Sequence, residues 1–244
     1  MINAEAIVQA QRAWRTAVAV GGDEAQVAAA AALGGLGDAV RVLLENLAAL
    51  GYPDVPGLIP PSKHIDVRLR KLGAKVGAVP PILAAFWRSV GGVSLVDLED
   101  YEHVDFWDAI GVAGPDGFCD GAHVHACRSE WVKFTVQDFI DQAEDPDVPP
   151  DGPYLLSLAP DGHHKDNISG GAAYGLEAGA GWLAPWRNFA WTGARRPDSA
   201  PPDPCDFLGY LRTSILECAG FPGLFGVGSF EPIRRRLLRH VEVF

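Results

Sequence analysis

Long apolar runs are absent from this 244-residue chain. No stretch of about 18 consecutive apolar side chains occurs, so no membrane-spanning helix is expected. The alanine-rich run from Val27 to Leu33 is short and is soon followed by charges. Residues 1–20 carry Glu5, Arg12 and Arg15 and lack the basic start and apolar centre of a secretory signal. Cysteine is sparse: Cys119, Cys127, Cys205 and Cys218 do not make a disulfide framework. Without a signal the chain is expected in the reducing cytoplasm. Phosphate-loop, dinucleotide, zincin, nucleophile-elbow and kinase motifs are also missing. No internal repeat is present. With 48% hydrophobic and 21% charged residues the chain is nonetheless globular in composition, not disordered.

Basic charge is missing from one stretch in particular. Between Asp97 and Asp151 there are 15 acidic residues against two basic ones, Arg128 and Lys133, a local charge of −13. The rest of the chain sums to +2, so this segment carries the whole net charge of −11. Such a field repels nucleic acid and anionic membranes and attracts basic proteins or metal ions. A solvated acidic surface is the plainer alternative. Asp97, Glu99, Asp100, Glu102 and Asp105 head the segment as candidate partner contacts, and the series does not follow a calcium-loop pattern. Arg234, Arg235, Arg236 and Arg239 form a small basic group that could meet the acidic segment in a homo-oligomer, or cap a helix C-terminus.

Apolar spacing predicts helices first. Ala4–Val20 places Ile7, Ala10, Trp14, Ala17 and Val18 on one stripe. A second helix opens at Asp23 and breaks at Gly34, Gly35 and Gly37, and a third starts at Asp38. Pro53, Pro56, Pro60 and Pro61 read as a loop. Helices follow over residues 66–76 and around Phe86 and Trp87. After Gly91 and Gly92 short apolar runs alternate with turn residues, predicting strands at 93–98, 103–106, 122–126, 131–134, 154–158 and 173–176, with a helix at 136–143. Residues 185–204 read as a long irregular loop. Helices near 206–218 and 232–240 close the chain. The expected class is α+β: a mixed, mainly antiparallel sheet packed with helices, preceded by an N-terminal helical extension. The expected division is a helical segment at 1–76, packed on an α+β domain at 77–244.

Two clusters invite catalytic readings. Cys119, His123, His125 and Cys127 are zinc-ligand types. On a strand, His123, His125 and Cys127 would share a face with about 6–7 Å between neighbours. Two neighbours could share a metal, but four ligands from this stretch could not easily close a tetrahedron, and the usual CxxC spacing is missing. A strand with incidental histidines is the plainer reading. In His163-His164-Lys165-Asp166, a histidine could be a base oriented by Asp166, with Ser169 as nucleophile. Adjacent side chains in one turn diverge, however, and Asp161 and Asn167 are turn formers. Ser169, Gly170 and Gly171 read as a tight turn, not a phosphate cradle. No metal and no cofactor is expected; a metal-dependent hydrolase built on Cys119, His123 and His125, or on His163 and His164, is the alternative. Trp182, Trp186 and Trp191 lie in or beside the long loop, either as partner anchors or folded inward to pin it.

Three stretches carry a family resemblance. Residues 79–93 read VPPILAAFWRSVGGV, with Phe86 and Trp87 ahead of Gly91 and Gly92. Residues 154–174 read YLLSLAPDGHHKDNISGGAAY, containing Asp161, His164, Lys165, Asn167, Ser169, Gly170, Gly171 and Tyr174. Residues 207–212 read FLGYLR, and Gly220-Phe221-Pro222-Gly223 follows. Together, over about Val79 to Gly223, they resemble bacterial members of the SUKH superfamily, which includes the yeast cell-wall assembly regulator. The resemblance implies a mixed sheet packed with helices and a binding role without catalytic residues. Many bacterial members are thought to be immunity proteins that neutralise a toxin. The chain departs from the pattern at Cys119-Asp120-Gly121-Ala122 and in the Trp-rich segment 182–204. The expectation is a cytoplasmic, non-catalytic immunity or adaptor protein. It would hold a basic protein through the acidic segment, with Trp186 and Trp191 as anchors.

Overall fold

A computed structural model describes residues 4–97, 102–112, 121–144, 155–159, 174–188 and 206–244. Among these described residues, eight α-helices and six short strands make it α+β. Helix α1 (Ala4–Val20) buries Ile7 and Trp14 against α2 (Gly22–Ala48). The predicted break in α2 does not occur. Three glycines cost about 1 kcal/mol each inside a helix. Against that, α2 buries nine side chains from Ala25 to Leu47, four of them leucines, each contributing about 1.5–3 kcal/mol. Burial wins, and the helix runs on for 27 residues. By length and a mean hydropathy of 1.6 over its most apolar window, α2 could cross a membrane. Here it is packed against α1, α4, β1 and α8.

The proline-rich loop contains β1 (Gly57–Ile59). It pairs antiparallel with β2 (Gly92–Ser94), which pairs with β3 (His123–Val124). Residues 4–76 therefore supply both a central helix and an edge strand, and they share one hydrophobic core with the remainder. Gly91 sits between α4 and β2 at φ 91°, and a Cβ there would overlap the carbonyl oxygen of Ile59. Helices α3 (Ile65–Val76) and α4 (Pro81–Ser89) lie between β1 and β2 in the chain; Phe86 and Trp87 of α4 are fully buried.

Two predicted strands are helices. Residues 103–106 belong to α5 (Glu102–Ala109), whose acidic first turn suits a helix N-terminus and whose Trp107 is buried. Residues 131–134 belong to α6 (Ser129–Glu144), where Trp131 and Thr135 are buried one helical turn apart. A second antiparallel sheet comprises β4 (Leu155–Ala159), β5 (Tyr174–Glu177) and β6 (Trp186–Asn188), the last inside the segment read as irregular. A bond from the His125 amide to the Leu158 carbonyl (2.8 Å) ties the two sheets together. Helix α7 (Phe207–Arg212) is capped by the Asp206 carboxylate, which accepts from the Gly209 amide at 2.8 Å. It runs into a π-helical turn, and α8 (Glu231–Leu237) follows.

Candidate functional site

Of the acidic residues expected to meet a partner, Glu99 and Asp100 lie outside the described residues. Asp97 is half-buried at the end of the β2 segment, and Glu102, Asp105 and Asp108 are exposed on α5. A spacing of three keeps these last three carboxylates on one side of the helix. The opposite side is held by an aromatic cluster in which Trp107 packs edge-on to Phe221 (4.7 Å between centroids) and Phe230 (5.5 Å), with Tyr52 beside it. Helix α6 carries the later acids differently. Its Asp138 turns inward and accepts from Ser157 Oγ of β4, and Asp141 accepts from Gln137 at 2.8 Å. Apart from Asp97, the described acids of the segment therefore lie on two helices with different packing partners, α5 on the aromatic cluster and α6 on α3 and β4.

Trp186 corrects the expectation of a surface anchor. It is only 4% exposed, stacked on Tyr210 (centroids 4.2 Å apart, planes 15°) and tilted over Phe207. Its place on β6 turns its ring onto α7, where apolar burial exceeds anything an exposed indole gains. Trp182 packs edge-on to Trp14 of α1. Trp191 lies outside the described residues.

The histidine pair is a closed hydrogen-bonded chain. Ser94 Oγ donates to the Val96 carbonyl (2.6 Å), so its oxygen can only accept from His123 Nδ1 (2.7 Å). With a single proton on the His123 ring, Nε2 then accepts, and His125 Nδ1 donates to it at 3.1 Å. Both ring nitrogens of His123 are thereby committed. His125 Nε2 keeps a lone pair, and burial pushes the His125 pKa down to about 4, so the ring is neutral. The backbone carbonyl of His125 is held by Trp87 Nε1 (2.8 Å). Burial raises the Cys127 thiol to about 11, against the opposing pull of Arg68, so it is no thiolate at neutral pH. Among the described residues no three His, Cys, Asp or Glu side chains are grouped to hold a metal ion. Cys119, Asp161, His163, His164, Lys165, Asn167, Ser169, Gly170 and Gly171 lie outside the described residues, and Tyr174 is on β5.

The C-terminal arginines are partly engaged within α8. Arg234 and Arg235 both donate to Glu231, whose carboxyl the Arg234 bond holds down at about 2. Sequence reading missed a second basic group. Arg70, Lys71 and Lys75 are exposed on α3, with Arg68 half-buried beside them. The signal in the chain is local: four cations fall within residues 68–75, inside a sequence whose overall balance is acidic.

No family model matches the chain, and neither a curated protein nor a solved structure matches it significantly.

Proposed function

We propose that this is a non-catalytic, cytoplasmic binding protein that takes a basic protein partner on the acidic side of α5. The carrying observation is the exposed row Glu102, Asp105 and Asp108 on a helix whose inner side is locked into the aromatic cluster. Carboxylates presented on a rigid element need little ordering on binding, and their field steers a basic partner into contact. The exposed Ile110 just after α5 supplies an apolar contact next to the charges. The SUKH resemblance supports an immunity or adaptor role, with a basic toxin domain as the partner class. Trp186 takes no part in this surface.

The test is a titration of the intact chain with a basic toxin domain encoded beside its gene, across a salt series. Affinity should fall as salt rises, and the double change Asp105→Lys with Asp108→Lys should weaken it by about tenfold or more. Absent binding, or binding indifferent to salt and to the charge reversal, overturns the proposal. Stoichiometric zinc in the purified protein, lost in His125→Ala, would overturn it in favour of a metal-dependent hydrolase.

A further inference from the structure

A cavity of about 270 Å³ lies where the turn before α3, α3 itself, α4 and the start of α6 meet. Its polar lining is Ser62, Arg68, Arg128, Ser129 and Glu130. Arg68 is fixed in place: Nη1 donates to the Cys127 carbonyl (2.9 Å) and Nη2 to Ser129 Oγ (3.1 Å). A guanidinium has five N–H donors, so these two bonds leave three. Ser129 Oγ accepts from Arg68 and retains its own proton to donate. Arg128 is exposed and has no ion-pair partner among the described residues. Trp87 and Ala126 supply apolar wall.

The sign of the local field runs against that of the whole chain. Helix α3 carries Arg68, Arg70, Lys71 and Lys75 against Asp66 alone, and Asp66 is paired with Arg88 at 2.9 Å. Screening limits such fields to about 8–10 Å, so the charges of the lining itself, Arg68 and Arg128 against Glu130, set a net positive sign in the cavity. Guanidinium forks match the oxygens of phosphate, and a dianion gains more from two of them than a carboxylate does. The volume sits just below the usual range of about 300–1,000 Å³ for ligand pockets, which restricts the organic part to a few carbons. The Glu130 carboxylate can accept only from a ligand O–H or N–H. Burial keeps the Cys127 thiol in the lining protonated at neutral pH.

We propose that this cavity is a binding site for a small hydroxyl-bearing phosphate monoester, with Arg68 and Arg128 holding the phosphate and Glu130 the hydroxyl. Isothermal titration at low ionic strength with glycerol 3-phosphate, inorganic phosphate and acetate tests it. Glycerol 3-phosphate should saturate one site and acetate should not. Arg128→Ala should weaken that binding by about tenfold or more, the loss expected for a charge-assisted bond. Glu130→Gln should weaken glycerol 3-phosphate while sparing inorganic phosphate. Arg68→Lys keeps the charge and loses the fork, and should also weaken binding; if it fails to fold, the exposed Arg128 decides. No saturable heat with any of the three probes overturns the proposal. So does equal affinity for acetate, or binding untouched by Arg128→Ala.

Discussion

Replacing Trp186 by alanine separates a core indole from a docking indole. The ring is 4% exposed and stacked on Tyr210 at 4.2 Å, with Phe207 on its flank. Deleting a buried tryptophan costs about 3–5 kcal/mol, because transfer free energy is lost and a cavity remains. The aromatic stack is worth about 0.5–1.5 kcal/mol beyond area. Strand β6 lies at the edge of its sheet and can relax toward the gap, so the lower half of the range is expected, about 3–4 kcal/mol. Urea unfolding followed by far-UV circular dichroism measures this without relying on the altered fluorescence. The slope against urea should hold while the midpoint falls. Partner affinity per folded molecule should be unchanged. A variant within about 0.5 kcal/mol of the parent that has lost partner binding would refute the core assignment of Trp186 and restore it as an anchor.

The three interior glycines of α2, Gly34, Gly35 and Gly37, should part company. Gly34→Ala and Gly37→Ala meet open space and should each stabilise by about 0.5–1 kcal/mol, whereas a Cβ at Gly35 comes within 2.5 Å of Phe244 Cβ, so Gly35→Ala should destabilise; thermal melting of the three variants checks the order. His125 has a folded pKa of about 4 against 6.5 when unfolded, so the unfolded chain binds more protons between these values. Its stabilising contribution is therefore complete above about pH 6.5 and is lost as pH falls toward 4, by at most about 3 kcal/mol; urea midpoints from pH 7 to 4 should decline less steeply in His125→Asn.

The elements most legible in the chain were those whose pattern is long and local. Helix α1 matches its predicted span, Ala4–Val20, because five apolar positions repeat at helical spacing. Residues 103–106 and 131–134 were misread because four-residue windows cannot separate a buried strand from one turn of a helix. The glycines of α2 read as a break because propensity is local, while the nine α2 side chains whose burial overrides it are covered by four other elements, α1, α4, β1 and α8. Strands β1 and β6 were missed since three residues beside prolines or in a long polar stretch show no alternation; only pairing with distant strands makes them strands.

The candidate surfaces divide the same way. The chain alone determined the α+β class, through the order of its periodic segments, and placed the excess negative charge between Asp97 and Asp151. It also marked His123 and His125 as the residues of a possible site. Only the tertiary structure set Glu102, Asp105 and Asp108 on one helix and Asp138 and Asp141 on another, turned Asp138 inward and buried Trp186 on Tyr210. It also locked His123 between Ser94 and His125 and gathered Arg68 and Arg128 at one cavity, although about sixty positions separate them in the chain. The physical reason is range. Charge and periodicity are properties of neighbouring residues, whereas burial, hydrogen-bond partnership and cavities arise between segments that meet only when the core closes.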